Sequence, residues 1–217
     1  MEQFFYYDIF ATKGLEYLII IAFLLLLIPF SYFLNKKIKI KQVLRALSVS
    51  VLKIPQGLFY SKNHLWLFME KSGTAKVGLD DLLLHITGEV QIDNIKNAGE
   101  TITKGELLAK INKNDKILDI FSPISGQILN TNSIIDENRD WIFKIKPSNW
   151  IEETKTCYFA TEATIWAHNE LDRFKNFIVN SNSSEVILQD GGELCDYALS
   201  ELPDEVWKDF QKEFMNV

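Results

Sequence analysis

Cysteine is scarce in this chain. Only Cys157 and Cys195 occur among 217 residues, far apart and without the paired spacing of a structural zinc site. A disulfide scaffold is therefore excluded and no metal is expected. The two thiols read as small, reduced hydrophobes, as in a cytoplasmic domain. Histidine is equally sparse: His64, His85 and His168 keep no spacing from serine, cysteine or acids that makes a triad or a metal site, and His64 reads as a structural strand residue. There is no glycine-rich phosphate loop. An excess of basic charge is also missing, with 23 Lys and Arg against 29 Asp and Glu and a net charge of -6. That argues against nucleic acid as a partner, because duplex binding needs a basic surface. With these absences no catalytic residue can be named, and the chain does not read as an enzyme.

What the chain has is one long apolar run. Leu15–Leu34 reads LEYLIIIAFLLLLIPFSYFL, with Glu16 its only charge. A spanning helix needs about 20 mostly apolar residues to cross about 30 Å of hydrocarbon. Tyr17, Tyr32 and Phe33 flank the run as interfacial aromatics do. The acidic, aromatic start MEQFFYYDIF is unlike the positive n-region of a cleaved signal peptide. Lys36, Lys37, Lys39, Lys41 and Arg45 follow the run, and only Lys13 precedes it. Positive charge stays cytoplasmic. The expectation is a single-pass protein of the cytoplasmic (inner) membrane: an external stub over 1–14, a transmembrane helix over 15–34 in contact with the bilayer, a basic juxtamembrane linker over 35–54 and a cytoplasmic body.

Over 55–150 the pattern changes to short alternating runs: Leu65–Glu70, Thr74–Leu79, Glu89–Ile95, Glu106–Ile111, Lys116–Ser122, Gly126–Thr131 and Asp140–Lys146. Polar turns separate them, among them Lys71-Ser72-Gly73, Lys104-Gly105-Glu106 and Lys113-Asn114-Asp115. Many short strands of this kind predict a mainly β barrel or sandwich. The adjacent acid pairs Asp80-Asp81 and Asp136-Glu137 read as solvated turns.

The ordered motifs within this region carry a resemblance. Leu58–Trp66 (LFYSKNHLW), Val77-Gly78-Leu79-Asp80-Asp81, Thr87-Gly88-Glu89-Val90, Ala98-Gly99-Glu100, Lys104-Gly105-Glu106, Ser122-Pro123-Ile124-Ser125-Gly126-Gln127-Ile128 and Trp141–Ser148 follow one another as in the glycine cleavage system H-protein family, which the chain resembles across nearly the whole β region. The resemblance implies a lipoyl-type barrel-sandwich hybrid. It also implies a hairpin-tip lysine that carries lipoate by an amide bond after a glutamate-serine-valine step. Counted back from Ser122, that position is Asp115, and the preceding step is Asn112-Lys113-Asn114. Aspartate cannot form the amide. Lys116 and Lys113 are the nearest amines. The family's insertion before its closing strand, which the resemblance implies helps to seat the arm, is also shorter here: Asn132–Asp140 leads directly to Trp141. Pro123 and Gly126 have an architectural reason, since a strand turns a corner there, and Gly126 is expected to need a positive φ.

Beyond the β region, 151–179 reads as an amphipathic helix with Tyr158, Ile165, Trp166, Leu171 and Phe174 broadly on one face. Residues 180–217 read as a polar linker, a short strand over Val186–Gly192 and a last helix from Pro203 carrying Val206, Trp207, Phe210 and Phe214 on one side. Aromatic stripes of this size are seldom left exposed. The stripe on 151–179 reads first as core packing and otherwise as a partner surface, and the last helix must be covered either by the chain's own β domain or by another subunit. The scaffold reading takes the second and names Trp166, Phe174, Trp207, Phe210 and Phe214 as partner-binding, the last three on a tail detached from the core. The expected function is a non-catalytic accessory or scaffold subunit of a membrane complex, built on an H-protein-like domain without lipoate. The alternative is a membrane-tethered lipoyl carrier working through Lys116 or Lys113, with covalent lipoate as its cofactor.

Overall fold

The structure is a computed structural model that describes residues 13–34, 46–47, 51–132, 141–181 and 194–216. Residues 1–12 of the expected stub, the whole basic run from Lys36 to Arg45, the shortened segment before Trp141 with its Asp136-Glu137 pair, and the expected strand over Val186–Gly192 lie outside the described residues. The chain forms two compact units, 1–43 and 44–217.

The first unit is a helix, α1 (Lys13–Leu34), of 22 residues with Pro29 inside it. At 1.5 Å per residue it is about 33 Å long. Its large apolar side chains from Tyr17 to Phe30 are exposed, Leu18 at 66% and Leu26 at 67%. Side chains are described only in part along α1, and among the described residues no helix is long and apolar enough to cross a membrane.

The second unit is mainly β, with helices before and after its last strands. Its strands are β1 (Ala46–Leu47), β2 (Phe59–Tyr60), β3 (Leu65–Met69), β4 (Ala75–Leu79), β5 (Gln91–Asn94), β6 (Thr101–Ile102), β7 (Leu107–Lys113), β8 (Lys116–Phe121), β9 (Gly126–Thr131), β10 (Phe143–Pro147), β11 (Tyr158–Phe159) and β12 (Leu194–Cys195). Its helices are α2 (Asp81–Thr87), α3 (Trp150–Thr154), α4 (Thr161–Asn180) and α5 (Asp204–Phe210), the last continuing into a wider π-type turn over Gln211–Met215.

Every described strand pair is antiparallel. One sheet has the order β11-β2-β3-β4-β10-β9-β6, a second the order β5-β7-β8, and β1 pairs with β12. Alternation places Ile111, Leu118, Ile120, Ile128, Phe143 and Ile145 inside, all within 1% of complete burial. The corner between β8 and β9 shows why its motif has that composition. Ser122 Oγ donates to the Ile124 carbonyl at 2.6 Å, and the Glu153 carboxylate of α3 accepts from both the amide and the hydroxyl of Ser125. Gly126 does not have a positive φ, contrary to expectation. A Cβ there would lie 2.3 Å from the Lys146 carbonyl oxygen of β10. The glycine is required by close approach of two strands rather than by a left-handed backbone.

Two further expectations are corrected. Asp80-Asp81 is no solvated turn: both residues are buried, and Asp80 caps α2 by accepting from the Leu83 amide at 2.8 Å. The C-terminal stripe is no free surface. Trp207, Phe210 and Phe214 are each at most 1% exposed, and with Phe174 they join the one large core that contains Leu171, Leu79 and Ile120. Trp166 is 8% exposed and packs with Tyr60, Trp66 and Ala163 in a smaller cluster. All five side chains expected to bind partners are therefore interior, because the chain's own β layer supplies the apolar face they need.

Candidate functional site: the hairpin tip and the cleft beside it

The β7–β8 hairpin closes through two residues. Lys113 pairs with Lys116, and Asn114 and Asp115 between them have φ of 49° and 68°. Positive φ at both central positions is the signature of a type I′ turn, which matches strand twist and favours asparagine and aspartate. Both tip residues are exposed. The backbone thus presents Asp115, an aspartate, at the end of the hairpin.

Neither neighbouring amine is an extended arm. Lys116 Nζ donates to the carbonyl oxygens of Ser200 at 3.0 Å and Leu202 at 2.5 Å, and it lies 5.6 Å from the centre of the Trp207 ring. Lys113 Nζ donates to the Glu89 carbonyl oxygen. Further along β8, Gln211 accepts from the Asp119 amide at 2.7 Å and donates to the Asp119 carbonyl at 3.3 Å. An edge strand leaves such groups unpaired. Here the C-terminal segment covers them.

Between the tip and α2 lies an open cleft of about 1260 Å³, lined among others by His85, Gly88, Asn112, Asp115, Asp196 and Tyr197. The Tyr197 amide donates to the His85 carbonyl at 2.7 Å and the Leu199 amide to the Ile86 carbonyl at 3.0 Å. Gly88, at φ 72°, lets the Tyr197 ring lie on the backbone: a Cβ there would be 2.1 Å from Tyr197 Cδ1. His85 bridges two carboxylates, with Nδ1 2.9 Å from Asp196 and Nε2 3.5 Å from Asp81. The bond to Asp81, against partial burial and with help from Asp196, holds the imidazole above its ordinary pKa. With both ring nitrogens occupied, His85 is a bridge between α2 and the C-terminal segment rather than a base. Sequence spacing could not show it, since Asp196 stands 111 residues away.

A second histidine, His64, is wholly buried. Its Nδ1 is 2.7 Å from Asp80 Oδ2 and its Nε2 is 3.6 Å from Glu170 Oε1, too long for a hydrogen bond but close enough for an ion pair. Burial alone would lower its pKa, but the two carboxylates outweigh it and raise it to about 9. His168 is exposed on α4. The Cys157 thiol is half-buried and unpaired, and burial pushes its pKa up. Among the described residues no cluster of His, Cys, Asp or Glu could hold a metal ion.

The sheets, the corner and the tip hairpin define an H-protein-like β domain. The family model "Glycine cleavage H-protein" matches residues 58–169, and the chain belongs to that family. It is 28% identical over 118 residues to a probable glycine cleavage system H protein of Thermococcus gammatolerans and 30% identical over 118 residues to that of Pyrococcus abyssi, covering 50% of this chain and 88% of the relative in each case. A crystal structure of a glycine cleavage system H protein from Mycobacterium marinum aligns at 22% identity and a TM-score of 0.40, over 44% of this chain and 87% of that one. The matched region ends before the second half of α4, so the C-terminal segment that covers β8 lies outside it.

Proposed function

We propose that this chain is a non-catalytic accessory subunit of a membrane complex, built on an H-protein-like domain that carries no lipoate. The observation that bears most of this reading is at the tip. The exposed turn position holds Asp115, whose carboxylate cannot take an amide-linked arm, and the adjacent Lys116 amine is engaged by two carbonyls of the chain's own C-terminal segment. Those contacts use the positive charge that acylation would remove. An arm on Lys116 would also have to leave a partly buried position beside Trp207.

The membrane part of the proposal rests on α1. A 22-residue helix with exposed leucine, isoleucine and phenylalanine along it is unfavourable in water, where each such side chain left out of an apolar surrounding forgoes about 1.5–3 kcal/mol. Insertion of the run 15–34 removes that cost, and the lysines after it orient the body to the cytoplasm. A tether also raises the effective concentration of the domain at the membrane surface.

The test is purification of the full-length chain from its native membranes in mild detergent. The proposal expects the chain in the membrane fraction, resistant to alkaline wash, and a reproducible set of integral-membrane subunits with it. Recovery as a lone, water-extractable protein would contradict it. Lipoate on Lys116 or Lys113 would instead favour a tethered carrier.

A further inference from the structure

His64 stands at the junction of the β domain and the helical layer that extends it. It directly precedes β3, its backbone has φ of 59°, an uncommon value for a residue with a side chain, and none of its surface is exposed. From the β side it faces Asp80, the N-cap of α2, whose amide also bonds the His64 carbonyl at 2.9 Å. From α4 it faces Glu170, which Arg173 pairs at 2.8 Å, and the Trp166 ring at 5.6 Å. From α5 and the turn after it come the rings of Phe210 at 6.4 Å and Phe214 at 6.1 Å. Arg173 in turn lies 4.3 Å from the Phe214 ring and donates to the Glu213 carbonyl. Asp80, Glu170 and Arg173 are the charged groups of this network.

A neutral imidazole would leave this arrangement poorly matched, with two buried carboxylates and a single guanidinium, that of the half-exposed Arg173, beside one of them. A protonated one balances two negative charges with two positive. We propose that the His64 cation is a lock: it holds α4 and α5 on the β domain, and its loss of a proton loosens that helical layer. The proposal is independent of whether the chain carries lipoate or sits in a membrane.

The sign of the dependence follows from the raised affinity for a proton. In an opening that parts the imidazole from Asp80 as well as from Glu170 it titrates near its ordinary 6.5, and in the closed state near 9. The lock is complete below about 6.5 and is lost as pH rises to about 9. Within that window the closed-to-open ratio falls about tenfold per pH unit. The pH of most cytoplasm lies on this slope, so modest alkalinisation changes how firmly the layer is held.

The experiment uses the full-length chain in detergent. Hydrogen exchange of the α4 and α5 amides, normalised to the intrinsic rate at each pH, reports the opening. Wild type is expected to lose protection by about tenfold per pH unit or more between 6.5 and 9, and His64→Gln to show a clearly shallower slope, the part that His85 sets. Equal slopes in the two proteins, or none in wild type, would overturn the lock. Should His64→Gln fail to fold, the imidazole NMR shifts of wild type decide: an imidazolium persisting above pH 8 is expected, and a neutral ring at pH 7.5 overturns it.

Discussion

Asp115 and Lys116 differ by one place along the chain and by everything in their surroundings. Asp115 projects from a turn whose positive φ values both fit its residue type, and Lys116 begins a strand and points its amine at a neighbouring segment. A one-residue step in a strand moves a side chain to the other face, so the lysine next to the tip is no substitute for one at the tip. Charge-assisted hydrogen bonds of this kind contribute about 1.5–3 kcal/mol. Lys116→Ala should therefore lower the melting temperature measurably, and Lys116→Arg should lower it less. An unchanged melt for Lys116→Ala would mean the amine is not engaged. Gly126 makes its point by distance. A single methyl placed 2.3 Å from a backbone oxygen of β10 forces the strands apart. Gly126→Ala should destabilise by about 2 kcal/mol or more in denaturant titration, as strain of this kind does. The turn at 113–115 was legible in the sequence because its signal is local. The roles of His64 and His85 were not, since Asp80, Glu170 and Asp196 stand 16 to 111 residues from the histidines they meet, and Asp81, four residues from His85, reaches it through a helix that was itself missed.

The strands were the most legible elements, because period-two alternation with polar turns leaves little choice. The helix α2 was missed: DLLLHIT is only seven residues long, continuously apolar at its start, and its capping Asp80 looks like any surface turn acid. The C-terminal segment was legible as a helix with an aromatic face, but periodicity does not say what a face packs against. Its destination is the chain's own core. Trp207, Phe210 and Phe214 pack among Phe174, Leu171 and the β8 side chains, and Trp207 Nε1 donates to the Leu199 carbonyl at 2.6 Å. At about 1.5–3 kcal/mol for each large buried side chain, removing the segment takes away as much as a domain's whole stability of about 5–15 kcal/mol. Truncation after Asn180 should abolish the cooperative melt of the body. A truncated protein that keeps its melting temperature would show that the tail is an independent appendage.

At the scale of the whole molecule, three kinds of region meet in one chain: an exposed apolar helix, a β domain of the glycine cleavage H-protein family, and a C-terminal extension beyond the family match that covers the hairpin's outer edge. The first two were legible in composition and motif order. The relation of the third to the second was not, because it is made by long-range packing. The central claim, a domain of this family working without its arm, stands on the chemistry of one exposed position and the engagement of the amine beside it. Intact-mass spectrometry tests it most directly, on the full-length chain made in its native host with lipoylation active. The account predicts the mass of the unmodified polypeptide for wild type and, allowing for the substitution, for Lys116→Arg. A wild-type mass raised by one lipoyl group, absent from Lys116→Arg or Lys113→Arg, would contradict it.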